Sequence, residues 1–240
     1  MEEMPKLISE GVCNFCGETF SKSVITRHIK ACRAEKVVLK AGGKKQKTFW
    51  LMAEGTGLPE YWLHFEIPTS TTLAYVDQFL RDIWLECCGH LSAFTIDGIR
   101  YELDTGMVDS MWKDFFGPPV PTKSMKARLD SVLKPGLKFR HEYDFGTTTH
   151  LTLKVIAEGE MPGRSKDLFL LARNNPLNIP CHKCKKPATH VCAQCIYEGP
   201  QAWLCEDHMY RHKCGPDMFL PAVNSPRVGM CGYTGGADFE

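Results

Sequence analysis

The sequence predicts an α+β fold: a small mixed or antiparallel sheet packed by one long helix, with a small Cys/His-rich module at either end. Three observations carry this. From Thr72 to Cys88, apolar residues Leu73, Val76, Leu80, Ile83 and Cys87 recur at three and four residues, the period of a helix with one buried face. Alternating runs on either side of Asp97-Gly98 and of Gly146 read as hairpins. Twelve Cys and His residues fall into close pairs near the two ends of the chain.

A chain of 240 residues, 43% apolar, can bury one substantial core and still carry small satellite modules. No run of 18 apolar residues occurs, so no membrane span is expected. The opening MEEMPKLISE has no apolar stretch of the kind a secretion signal needs. Twelve cysteines without an export signal point to a reducing, cytoplasmic setting and to metal rather than disulfides. The net charge of +1 selects no partner, but its distribution marks modules. Residues 1–50 carry +5, residues 51–160 carry −6 and residues 161–240 carry +2.

Residues 8–35 have the outline of a ββα zinc finger. Cys13-x2-Cys16 and His28-x3-Cys32 supply two pairs of ligands, and Phe20 and Ile25 between them can form a miniature core. His28 and Cys32, four apart, share one helix face. Arg27, Lys30 and Arg33 recur at three residues on that helix, a candidate phosphate-contacting face or an ordinary solvated one. Residues 36–47 read as a basic linker, broken by Gly42-Gly43 and adding Lys44, Lys45 and Lys47 to the positive head.

Residues 48–173 form the α+β middle. A strand is expected from Tyr61 to Ile67, closed by Pro68. The long helix follows, capped by Ser70 or Thr71 and stopped at Gly89. Asp97-Gly98 suits a two-residue turn that sets Ile96 opposite Ile99 and Phe94 opposite Tyr101. Met107, Met111, Trp112, Phe115 and Phe116 suggest a short helix, and Leu129 to Leu133 another. Lys138 to Phe145 alternates with Phe139, His141, Tyr143 and Phe145 on one face, and Leu151, Leu153 and Val155 share a face of the next strand. Leu168 to Leu171 adds a last strand.

The middle region resembles the plasmid ORF-3-like family, also called the TnpR passenger family of insertion elements. The resemblance rests on Tyr143, Asp144, Phe145, Gly146 and His150, on Leu73 in the helix, and on His90-Leu91-x2-Phe94. Where the family continues with Asp and Trp after the glycine, this chain has Thr147 and Thr148. The resemblance spans roughly residues 60–157 and implies a compact α+β domain associated with mobile elements, with no established reaction.

After a short linker, 174–180, residues 181–216 hold eight thiol or imidazole groups in four close pairs: Cys181/Cys184, Cys192/Cys195, Cys205/His208 and His212/Cys214. Histidines interleaved at ligand spacing have no role in a disulfide framework. The ligand order resembles the cross-braced B-box and AN-type zinc modules. That resemblance implies that Cys181, Cys184, Cys205 and His208 share one ion and that Cys192, Cys195, His212 and Cys214 share another. Sequential pairing would instead crowd Cys205 to Cys214 around one ion within ten residues. Residues 217–240 read as an extended tail, with Cys231 a plain thiol and the vicinal Cys87-Cys88 a buried structural end to the helix.

The functional expectation is a zinc-binding, non-catalytic adaptor holding three Zn2+, associated with nucleic acid through Arg27, Lys30, Arg33, Lys44, Lys45 and Lys47, or with a protein through its C-terminal module. No membrane contact and no small-molecule cofactor are expected. A hydrolase-like or nuclease-like reading would draw on His64, Asp77, Asp82, Glu86, His141, Asp144 and His150, with Asp144 and His150 bonding across their turn. No phosphate loop, nucleophile elbow or open three-ligand metal motif accompanies them.

Overall fold

The computed structural model describes residues 7–38, 45–103, 122–162 and 168–237. The expected helix at 107–116 and Lys44 lie outside them. Chain order runs β1 (Glu10–Cys13), β2 (Thr19–Ser21), α1 (Lys22–Val38), β3 (Lys45–Gly55), β4 (Leu58–Pro68) and α2 (Leu73–Leu80). Then come a π-turn at Arg81–Leu85, β5 (Ser92–Ile96), β6 (Ile99–Glu102), β7 (Thr122–Ser124), α3 (Leu129–Val132), β8 (Lys138–Tyr143), β9 (Thr149–Pro162) and β10 (Phe169–Asn174). The C-terminal region adds β11 (His190–Cys192), β12 (Trp203–Leu204), α4 (Glu206–Met209) and β13 (Phe219–Pro221).

The protein is mixed α and β, and mostly sheet. Ten strands form one sheet in the order β2-β1-β10-β4-β3-β9-β8-β5-β6-β7, antiparallel throughout except for β6 and β7. A second, three-stranded sheet has the order β12-β11-β13. The expected small sheet is therefore too modest. The positive segment ending at Lys47 is not all linker, because β3 begins at Lys45 and pairs with β4 and β9 along its length. Runs such as FWLMA have no polar alternation because both of their faces are covered.

The two faces of β3 and β4 bury different partners. Phe49, Leu51 and Ala53 join Leu63, Phe65 and Ile67 in the main core, under Leu73, Val76, Leu80, Ile83 and Trp84. Trp50 and Trp62 point the other way and pack with Ile25 and Ile29 of α1. The N-terminal module is thus part of the sheet. β1 pairs with β10, and a Cβ on Gly11 would stand 2.2 Å from the Arg173 carbonyl oxygen and 2.6 Å from the Trp62 ring.

The long helix is corrected by the structure. Its N-cap is Thr72, while Thr71 donates to the Pro68 carbonyl. Its α-helical part is the eight residues of α2, followed by the π-turn, in which the Glu86 amide reaches the Arg81 carbonyl. The tail takes the carbonyls left free there: Ser225 Oγ donates to Trp84 O and the Ala237 amide to Asp82 O, both at 2.7 Å. Cys87 and Cys88 consequently lie beyond the helix. The hairpin at Asp97-Gly98 has positive φ at both positions (48° and 77°) and pairs Ile96 with Ile99 and Phe94 with Tyr101. β8 ends at Tyr143, so Phe145 turns out to solvent instead of joining the buried face.

His64 joins the first module to the sheet. It accepts the Trp50 indole N–H at Nδ1 (3.1 Å), which leaves Nε2 to donate to Thr26 Oγ1 on α1 (3.3 Å). Burial, with the Lys22 charge adding, lowers its pKa to about 3. This folded value lies below the unfolded one, so the group's contribution is complete above pH 6.5 and declines as pH falls, by at most about 1.4 kcal/mol per pH unit. Urea unfolding at pH 6.5 and 5.5 should show the wild type losing about 1 kcal/mol more than His64→Gln on that linkage. Metal loss at the lower pH cancels in the difference. Equal losses would show that His64 takes up no fewer protons folded than unfolded.

Candidate metal centres

The tight turn after β1 brings Cys13 and Cys16 together, and α1 brings up His28 and Cys32. Cys16 Sγ lies 3.3 Å from His28 Nε2, and Phe20 stacks on the imidazole at 3.8 Å. In the C-terminal region one group comprises Cys181, Cys184, Cys205 and His208, and another Cys192, Cys195, His212 and Cys214. Cys184 and Cys205 sulfurs stand 3.6 Å apart, with His208 Nδ1 at 3.2 Å from Cys205. Cys195 lies 3.4 Å from His212 Nε2 and 3.6 Å from the Cys214 sulfur. Cys184 and Cys192 fall in different groups.

All potential ligand atoms of each group lie within 4.8 Å of one another. A tetrahedral zinc with ordinary Zn–S and Zn–N bonds has ligand–ligand edges of about 3.5–3.8 Å. The observed edges fit such an ion, and these Cys/His groups can hold metal. Close approach also shifts the thiols. Burial, then the neighbouring Cys214 and Cys192 sulfurs, raise the Cys195 thiol to about 12. Burial and the sulfurs of Cys13 and Cys16 raise Cys32 to about 11. Thiols crowded this closely resist ionising together until a cation joins them. At Cys181 burial is outweighed by N–H groups of Cys205, Cys184 and Lys183, which bring it down to about 6.

A fourth group was not foreseen. Cys87, Cys88, His90 and Cys231 also converge. Cys231 is therefore not an isolated thiol, and the vicinal pair does not simply terminate an apolar stripe. The available signal was the spacing Cys-Cys-x-His, together with a cysteine set between glycines in the tail.

The five basic candidates among the described residues do not form one free surface. Arg33 makes a bidentate pair with the buried Glu66, also a partner of Thr48, and donates to the Glu160 carbonyl. Lys45 and Lys47 face Glu160 and Glu158 at 3.4 and 3.2 Å. Arg27 and Lys30 are exposed.

The acid–base candidates are mostly engaged by other side chains of the fold. Asp77 and His141 form a buried pair at 2.6 Å, with Arg81 Nε donating to the other Asp77 oxygen. Glu86 accepts from Arg81 and Tyr143. Asp82, in the π-turn, accepts from Gln78 of α2. Asp144 and His150 do not meet across their turn. Asp144 binds Thr147 and Arg227, whereas His150 is exposed, 3.6 Å from Glu142. Among the family-motif residues, Tyr143 is buried, Gly146 donates its amide to Asp144, and Phe145 stacks under Arg100.

The fold and these groups define a class, a large mixed sheet carrying several Cys3His clusters. No family model matches the chain, and no curated protein does. The resemblance to the plasmid ORF-3-like family therefore rests on the residues quoted for it. Among solved structures, a protein of unknown function from Methanosarcina mazei Go1 is 15% identical, with a TM-score of 0.39 over 53% of this chain and 67% of that one. Among the described residues, no helix is long and apolar enough to cross a membrane.

Proposed function

We propose that this chain is a zinc-binding, non-catalytic adaptor whose partner is a protein, with one structural Zn2+ in each of the three terminal groups. The observation that carries the choice of partner is the fate of the positive head. A phosphate-binding surface needs unpaired cations, because affinity comes from displacing counterions. Here Arg33 is held by the buried Glu66, and Lys45 and Lys47, themselves exposed, lie beside Glu160 and Glu158, so of the described candidates Arg27 and Lys30 stand apart from this pairing. The C-terminal module instead presents Tyr197 and Tyr210, 74% and 62% exposed, two residues from ligands of the same group. Exposed tyrosines with an apolar body and a polar tip suit a protein interface.

The zinc is structural in this reading because each group has four protein ligands and leaves no position for substrate. The test pairs two assays on the full chain. Gel-shift titration at low salt with single- and double-stranded DNA and RNA is expected to show no binding. Proteins cross-linked in native extract are expected to be lost together on Tyr197→Ser and Tyr210→Ser. Nucleic-acid binding that weakens steeply with salt and disappears in Arg27→Glu/Lys30→Glu would overturn the choice of partner.

A further inference from the structure

We infer that Cys87, Cys88, His90 and Cys231 form a fourth closed zinc site, one that locks the C-terminal tail onto the middle of the sheet. The inference is independent of the partner proposed above. Its first support is stoichiometric. The chain's twelve cysteines divide without remainder into four groups of three, and each group includes one histidine. The fourth group therefore repeats the donor set of the other three, a soft set suited to Zn2+.

The geometry agrees. Cys88 Sγ lies 3.4 Å from Cys87 Sγ, 3.6 Å from Cys231 Sγ and 3.2 Å from His90 Nε2. His90 Nε2 is also 3.2 Å from Cys231 Sγ. These edges match those of the terminal groups, and a histidine nitrogen between two sulfurs serves no disulfide. The backbone is bent to make the site. Gly89, at φ 74°, lets Cys88 and His90 face the same point. Cys231 itself holds φ 47°, a left-handed conformation that a non-glycine residue keeps only where its surroundings require it.

The surroundings suit the charge as well. Three thiolates, one imidazole and Zn2+ sum to −1. The buried Arg227 guanidinium stands 3.4 Å from Cys87 Sγ and can donate to it as an outer partner. Asp144 Oδ2 lies 3.7 Å from His90 Nε2 but already accepts from Arg227 and Thr147, so it stands beside the ligands. Binding would release the three thiol protons and bridge residues more than 140 positions apart.

The test compares zinc per chain, by native mass spectrometry, in the wild type and in Cys231→Ser and His90→Ala. The site is supported if the wild type carries one ion more than each variant, and equal counts overturn it. A low wild-type total would bear on the terminal groups and leave this difference readable. Should the variants fail to fold, alkylation of the native wild type decides. Exposed Cys88 and Cys231 are expected to resist iodoacetamide until a chelator is added. Rapid alkylation of both without chelator contradicts the site.

Discussion

Removing zinc with a strong chelator is expected to unfold residues 8–35 and 181–216 while the central strands persist. Apparent binding energies of structural zinc run to roughly 10–16 kcal/mol in small modules, as large as the whole stability of a typical domain. Beside that energy, the packing that holds the modules to the sheet is local. The N-terminal one adds its β1–β10 pairing and the contacts of Ile25 and Ile29 with Trp50 and Trp62, and the C-terminal one three short strands with Val191, Ala202 and Trp203 in the main core. Hydrogen exchange can read the result residue by residue. Amides of the knuckles, such as Gly17 to Cys13 O, Lys185 to Cys181 O and Cys195 to Cys192 O, should lose protection on chelation. Those linking β3 to β4 and β9 should keep it. Unchanged exchange at the knuckles would mean that no ion holds them.

Arg227→Ala should be among the most costly single substitutions. The side chain is fully buried and donates to Asp144 Oδ2 at 2.8 Å, to Thr149 Oγ1 and to the Thr147 carbonyl. Its guanidinium also lies 4.8 Å from the centre of the Tyr143 ring. Burial disfavours the Asp144 carboxylate, yet hydrogen bonds from Thr147, Arg227 and the Gly146 amide hold its pKa well below the usual range. Truncating Arg227 therefore strands a buried charge, a change that costs about 3–5 kcal/mol. Adding Asp144→Asn should recover part of that loss, because the two residues are directly coupled. Denaturant unfolding measures both. A cost below about 1 kcal/mol for Arg227→Ala would show the pair to be hydrated.

How much the sequence discloses depends on the range of the interaction. Cys/His pairs two to four residues apart are set by local backbone geometry, so their spacing marked the twelve terminal residues that the structure gathers into three groups able to hold metal. The Asp97-Gly98 hairpin is equally local, and its register was legible in full. What depended on distant chain was hidden. β3 alternates poorly because α1 covers one of its faces and the main core the other. Arg33, Lys45 and Lys47 read as a free positive surface because their carboxylate partners lie 33 to 115 positions away. The helix around Asp77 ends early where the tail arrives from residues 225–237. The fourth Cys3His group required the same long-range meeting, and no spacing rule links Cys88 to Cys231.

The central claim is that each of the three terminal Cys3His groups holds one zinc ion. Diffraction from crystals grown without chelator, recorded on both sides of the zinc absorption edge, tests it most directly. The account expects separate zinc peaks enclosed by Cys13, Cys16, His28 and Cys32, by Cys181, Cys184, Cys205 and His208, and by Cys192, Cys195, His212 and Cys214. A map with no zinc at those positions, or with Cys184 and Cys192 bound to one ion, would contradict it.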